Sequence, residues 1–161
     1  MAVFDCNKEI KVICLTLFLG LVSGLPVFSQ SDEAQVEAVI RSMFDGMRSK
    51  NADQVAAAFA ADALMQTVIS KPEGNQVGSN AVADFVKRIA TTPAETNLDE
   101  RILDYQIKVD GTMASAWTPY LFYVNGNFSH CGVNSFQLVK MAEGWKIVYI
   151  IDTRRKEPCE E

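Results

Sequence analysis

Apolar residues recur at helical spacing after residue 31, with Val36, Val39, Ile40, Met43, Phe44 and Met47 on one stripe. That period predicts an amphipathic helix ending near Asn51. Ser31 or Asp32 can cap it, because a short side-chain oxygen accepts an N–H that the first turn leaves free. NADQVAAAFA then predicts a second, shorter helix with Asn51 as its cap and Val55 and Phe59 on one side. ALMQTVIS (63–70) is rich in β-formers and predicts a strand, and KPEGNQVG after it reads as a loop. Following Ser79, Val82, Phe85, Val86 and Ile89 make the stripe of a third helix, which stops before Pro93.

Beyond residue 100 the period shortens to two. In RILDYQIKV (101–109), Leu103, Tyr105, Ile107 and Val109 fall on one face and Asp104, Gln106 and Lys108 on the other. Asp110-Gly111, Asn125-Gly126 and Glu143-Gly144 are turn signals. Asn-Gly is the strongest, since a type I′ turn needs positive φ at both central residues. Strands joined by such turns predict an antiparallel meander, and a helical half packed on it defines an α+β domain. The segments 112–124 and 128–140 are apolar on both faces. One face must pack on the helices and the other needs a cover, so a homodimer through the sheet is expected.

If Asn125-Gly126 is a two-residue turn, Val124 faces Asn127 and the remaining pairs are fixed by counting. His130 then falls opposite Leu121, Phe128 opposite Tyr123, and Asn134 opposite Trp117. Trp117, Leu121, Tyr123, Phe128, His130, Asn134 and Phe136 would share one face, an aromatic wall holding an imidazole and an amide. Such walls with a few polar groups are how ligand pockets are built. Pro119 cannot donate to a sheet ladder and predicts a bend or bulge nearby. Asp152 falls opposite Asn134 if a bulge succeeds the last turn, and on the other face if the turn is tight.

The first thirty residues have another pattern. VICLTLFLGLVSGLPVF (12–28) is an uncharged apolar run preceded by Lys8 and Lys11 and succeeded by SQSDE. It predicts a cleaved secretory signal over 1–29, an uncleaved membrane anchor being the alternative. A globular domain over 30–155 and a tail at 156–161 complete the organisation, and no membrane contact is expected after cleavage. Cleavage leaves Cys131 and Cys159, a disulfide candidate in an oxidising compartment, against the alternative of two free thiols. The 48% hydrophobic composition suffices for one core, and a net charge of −5 with a pI near 4.9 argues against a nucleic-acid surface.

Helix, helix, strand, helix and a four-strand meander resembles the nuclear transport factor 2-like (NTF2-like) superfamily. FSHCG and GWKI…DTRR, within 118–155, resemble its secreted bacterial members of the putative lumazine-binding and polyketide cyclase-like (SnoaL-like) subgroup. The resemblance covers about 32–155. It implies a cone: three N-terminal helices on a curved antiparallel sheet, enclosing a pocket. The superfamily hosts isomerases, cyclases, dehydratases and non-enzymatic binders, so it implies no single activity.

The site admits three readings. The first is a secreted or periplasmic binder of a small apolar or aromatic ligand, with Trp117, Leu121, Phe128, Asn134, Phe136 and Tyr105 as ligand contacts. The second is a cofactor-independent acid–base enzyme. His130 would be its base, Tyr123, Tyr120 or Tyr105 the donor, and Asp152 or Asp62 an accessory carboxylate. The third is a structural, dimeric interaction domain in which His130 is a hydrogen-bonded core residue. Two-histidine dehydratase chemistry is excluded by the single histidine. No metal site and no cofactor are expected, since His130 and Cys131 are adjacent and point to opposite faces of a strand. Arg154, Arg155 and Lys156 either hold an anionic ligand at the mouth of the cone or form a solvated strand end.

Overall fold

Ser31 caps α1 (Asp32–Ser49) by accepting from the Ala34 N–H, and Asn51 caps α2 (Ala52–Ala57) in the same way through Gln54. The computed structural model describes residues 30–159; the signal segment expected over 1–29 lies outside the described residues. After α2 come β1 (Phe59–Lys71), β2 (Gly74–Ala81), α3 (Val82–Thr91), β3 (Leu98–Ile102) and β4 (Gln106–Asp110). The chain then runs through β5 (Met113–Val124), β6 (Asn127–Met141) and β7 (Gly144–Thr153). The architecture is α+β, helices packed on one curved sheet, as expected.

The seven strands are ordered β2-β1-β7-β6-β5-β3, with β4 also paired to β5. The meander from β5 to β7 is antiparallel, but β1 runs parallel to β7, so the sheet is mixed rather than purely antiparallel. The segment expected as a loop after residue 70 is instead β2. It folds back on β1 from Lys71↔Gly74, and glycine takes the φ of 133° that the turn requires. The strand expected over 101–109 is broken at Leu103–Tyr105. Leu103 N–H donates to the Pro119 carbonyl at 2.9 Å, so that edge of Pro119 faces β3 and β4. Proline offers no N–H there, and the neighbouring strand loses its ladder opposite it. The break shifts the register by one residue, so Glu100 and Ile102 share the inner side with Tyr105 and Ile107, while Leu103 is 41% exposed.

The core lies between α1 and the sheet. Val36, Ile40, Met43, Phe44 and Met47 are buried against Ala114, Ala116, Phe136, Leu138, Ile147 and Ile150. Phe44 meets Phe136 edge-on at 6.2 Å. Phe136 is completely buried, a core residue rather than the pocket wall expected of it.

The C-terminal end is tied back across the sheet. Arg155 and Cys131 exchange backbone hydrogen bonds of 2.8 Å, and Cys131 is bridged to Cys159 with a Cα–Cα distance of 5.9 Å. Closing that separation of 28 residues is worth about 3–4 kcal/mol in the chain-entropy picture. The tie leaves no room at Gly132: a Cβ there would lie 1.8 Å from the Thr153 carbonyl oxygen and 2.9 Å from the Tyr120 hydroxyl. Gly132→Ala should therefore cost about 3 kcal/mol or more in urea unfolding, since the Thr153 backbone must move and the buried Tyr120 ring with it. A loss below about 0.5 kcal/mol, the range of a neutral surface change, would contradict this packing.

Candidate functional site

The turn between β5 and β6 is the one expected, with φ of 52° at Asn125 and 77° at Gly126. Tyr123 pairs with Phe128, also as expected, but the next pair is Phe122↔His130. Ser129 is thus an extra residue in β6, and its hydroxyl lies 3.0 Å from His130 Nδ1. Because side chains alternate, one inserted residue sends everything beyond it to the opposite face. His130 and Asn134 consequently share a face with Phe122, Tyr120 and Thr118, not with Leu121 and Trp117. A second extra residue, Val148 in β7, sets Asp152 opposite Asn134 after a tight turn at Ala142-Glu143.

These shifts assemble a polar row across the inner face: Thr118, Asn134, Asp152 and Thr67, on β5, β6, β7 and β1. The first three are buried. Asp152 accepts from Thr67 Oγ1 and from Arg154 Nε, the latter at 2.7 Å. Asn134 Nδ2 donates to Glu100 Oε1 at 2.7 Å. Tyr120 donates its hydroxyl proton to the Thr153 carbonyl at 3.0 Å, and burial pushes its pKa upward.

Over this row opens a cavity of about 330 Å³ between the sheet, α1 and α3. Met43, Phe44, Met47, Phe85 and Ile89 close it from the helices, while Glu100, His130, Asn134, Asp152 and Arg154 bring polar groups from the sheet. A hollow of about 350 Å³ between α1, α2 and the start of β7 contains neither the histidine nor a buried acid.

Glu100 is the most perturbed acid of the cavity. Burial pushes its pKa up to about 7, and the Asp152 carboxylate adds to the rise, against the Asn134 hydrogen bond and the Arg154 charge. It can therefore take or give a proton near neutrality. His130 moves the other way: burial and the Arg154 charge lower its pKa, and Asp152 partly offsets them. Its ring meets Tyr120 edge-on at 5.8 Å and lies 5.0 Å from the Phe122 ring. Among the described residues no group of three or more His, Cys, Asp and Glu side chains is gathered to hold a metal.

His130, Asn134, Asp152 and Tyr120 reach the cavity. Trp117, Leu121, Tyr123 and Phe128 do not: the Ser129 bulge leaves them on the outer face, where Trp117 is 49% exposed. Tyr123, a candidate proton donor, instead carries the Arg101 guanidinium over its ring at 4.1 Å. Tyr105 lies outside the cavity, beneath Arg41 at 4.5 Å, and Asp62 is exposed on β1. Glu100 escapes a reading that counts the alternation from Arg101. An acid alternating with Leu98 and Ile102 on an apolar face is the signal that could have found it.

A cone of helices on a curved sheet, with its cavity at the concave face, defines an NTF2-like protein. The sequence profile of the family described as putative lumazine-binding matches residues 31–150, and the chain belongs to that family. An NTF2-like protein of unknown function from Methylobacillus flagellatus KT is 22% identical, covers 82% of this chain and 99% of its own, and superposes with a TM-score of 0.58. A domain with a cystatin-like fold from Nostoc punctiforme PCC 73102 is 21% identical over 79% of each chain, with a TM-score of 0.59. A putative dehydratase of the NTF2-like family from Streptomyces avermitilis is 15% identical, over 77% of this chain and 96% of its own, with a TM-score of 0.59. At these identities the likeness is one of fold. No functionally curated protein matches the chain.

The Glu100 shift predicts a pH dependence. Its folded pKa, about 7, exceeds the ordinary 4.5, so the native state binds more protons than the unfolded chain between those values. Stability should fall as pH rises through that window, by on the order of 2–3 kcal/mol. The lowered His130 acts in the opposite sense near its ordinary value of 6.5. Glu100→Gln should remove the Glu100 contribution in urea unfolding across pH 4.5 to 7. An unchanged pH profile in the variant would contradict the assignment.

Proposed function

We propose that the protein binds a small, apolar-bodied molecule in the cavity between α1, α3 and the sheet. The observation that carries this reading is the contrast inside one space of about 330 Å³, methionine and phenylalanine on the helical side and a hydrogen-bonded polar row on the other. Preformed cavities of this size, mostly apolar with a few convergent polar groups, are how small molecules are held. Membership in a family described as putative lumazine-binding supports ligand binding too.

The proposed setting is an extracytoplasmic, oxidising compartment. The apolar run at 12–28 reads as a secretory signal, and the Cys131–Cys159 bridge suits an oxidising compartment. Among the described residues no helix is long and apolar enough to cross a membrane. A homodimer through the outer face would cover Met113 and Trp117, which are 52% and 49% exposed. Sedimentation at micromolar concentration should give twice the chain mass; a monomer would refute the dimer.

Acid–base turnover is the second reading, favoured by a carboxyl group with a pKa of about 7 in the same cavity as an imidazole. In D₂O, such an enzyme should exchange the α-protons of a bound aryl ketone, and Glu100→Gln should stop it; no exchange by the wild type dismisses turnover.

Filling the cavity tests the binding reading. Met65 is half-buried at the wall, so Met65→Trp can place an indole in the space without opening the core. The variant should keep its thermal unfolding profile and bind the fluorescent probe N-phenyl-1-naphthylamine about tenfold more weakly or worse. Equal affinity in both proteins would show that the probe, and the proposed ligand class, bind elsewhere.

A further inference from the structure

We propose that the ligand carries a carboxylate at one end, held by the outer edge of the Arg154 guanidinium, with its apolar body lying between α1 and α3. This deepens the binding reading and rests on it. Arg154 lines the cavity and donates through Nε to Asp152 at 2.7 Å. Asp152 is itself held by Thr67 and buried in the sheet. The aspartate thus orients the guanidinium, and among the described residues no side chain other than Asp152 pairs with it. An edge of two parallel N–H donors matches a carboxylate.

The balance of charge points the same way. Arg88, on α3, lines the cavity as well; its contact is the Phe85 ring, 5.9 Å from the guanidinium carbon, and no carboxylate among the described residues pairs with it. With Glu100 protonated, two guanidinium groups stand against the Asp152 carboxylate. A cationic ligand would be repelled. A neutral one would gain nothing from the guanidinium edge, which is half-exposed and otherwise meets solvent. Two guanidinium groups against one carboxylate leave a single positive charge, which a doubly charged phosphate would exceed. A singly charged carboxylate on a chain or ring sized for about 330 Å³ meets each constraint.

Binding should depend on Glu100. Sharing the cavity with it are His130 and Asn134 of β6, Asp152 of β7, Arg154 just past that strand, Tyr120 of β5 and Arg88 of α3. On its other side Glu100 borders another hollow, of about 240 Å³, with Arg41, Asp45 and Arg48 of α1, Arg101 and Tyr105, and Asp99 precedes Glu100 on β3. Once ionised, Glu100 shares the cavity with the incoming carboxylate and repels it. Affinity should therefore fall as pH rises through about 7.

Titration calorimetry with octanoate, 1-octanol and octylamine on the full domain tests this. Near pH 6, octanoate should bind about tenfold tighter than octanol and octylamine more weakly than either. Octanoate should lose about tenfold by pH 8.5 in the wild type but not in Glu100→Gln. Arg154→Gln should bring octanoate down to the octanol value with octanol unchanged. If that variant does not fold, Arg154→Lys keeps a positive partner for Asp152 but presents no second edge, and should still lose most of the preference. Octanoate binding no tighter than octanol, or a preference that survives both arginine substitutions, overturns the carboxylate inference and leaves the binding reading standing. Binding of none of the three probes removes both.

Discussion

The β5–β6 ribbon is the backbone of the sheet, and the single residue inserted at Ser129 determines which of its side chains face the helices. Without that insertion His130 would lie opposite Leu121 on the outer face. With it, His130 pairs with Phe122, and Asn134 lands in the row between Thr118 and Asp152. The insertion at Val148 performs the same service for Asp152 on β7. Extra residues bend a strand as well as shifting its parity, so the devices that curve the sheet over the cavity also select its polar lining.

That lining comes at a cost to the sheet. Thr118, Asn134 and Asp152 occupy buried inner positions where apolar side chains would pack, as Phe136, Leu138 and Ile147 do farther along the same face. Each polar group is retained with a partner: Asn134 on Glu100, Asp152 on Thr67 and Arg154, Tyr120 on the Thr153 carbonyl. Buried polar groups are tolerable only when satisfied, and here the network extends to groups that open on the cavity. Glu100 and Arg154 are the two members with capacity to spare, one for a proton and one for an anion. The Cys131–Cys159 bridge and the Gly132 contact hold the strand end that carries Arg154 against the rest.

Much of the fold was legible because local signals agreed. The Asn51 cap, the stripes of α1 and α3 and the Asn-Gly turn are adopted as read, and of the two caps open for α1, Ser31 or Asp32, the structure uses Ser31. The parts that were not legible share a cause. A bulge leaves no composition signal, since Ser129 and Val148 are ordinary strand residues, yet each reverses the parity of every residue beyond it. Pro119 did announce an irregularity, but its effect falls on the neighbouring strand at Leu103–Tyr105, where only three-dimensional pairing could place it. The candidate site was therefore half visible: the sequence singles out His130, Asn134 and Asp152, hides Glu100, and puts four outer-face residues on the wrong side. The β2 strand was illegible for a different reason, its sequence of glycine, asparagine and serine being held extended by its pairing with β1 rather than by propensity.

Proton–proton nuclear Overhauser effects around the His130 imidazole examine the bulge most directly. Cross-peaks should run from the imidazole to the rings of Phe122 and Tyr120, whose centroids lie 5.0 and 5.8 Å away. None should reach the Leu121 methyls or the Trp117 indole. Strong contacts to Leu121 with none to Phe122 would mean that Ser129 is not inserted and that the histidine looks outward.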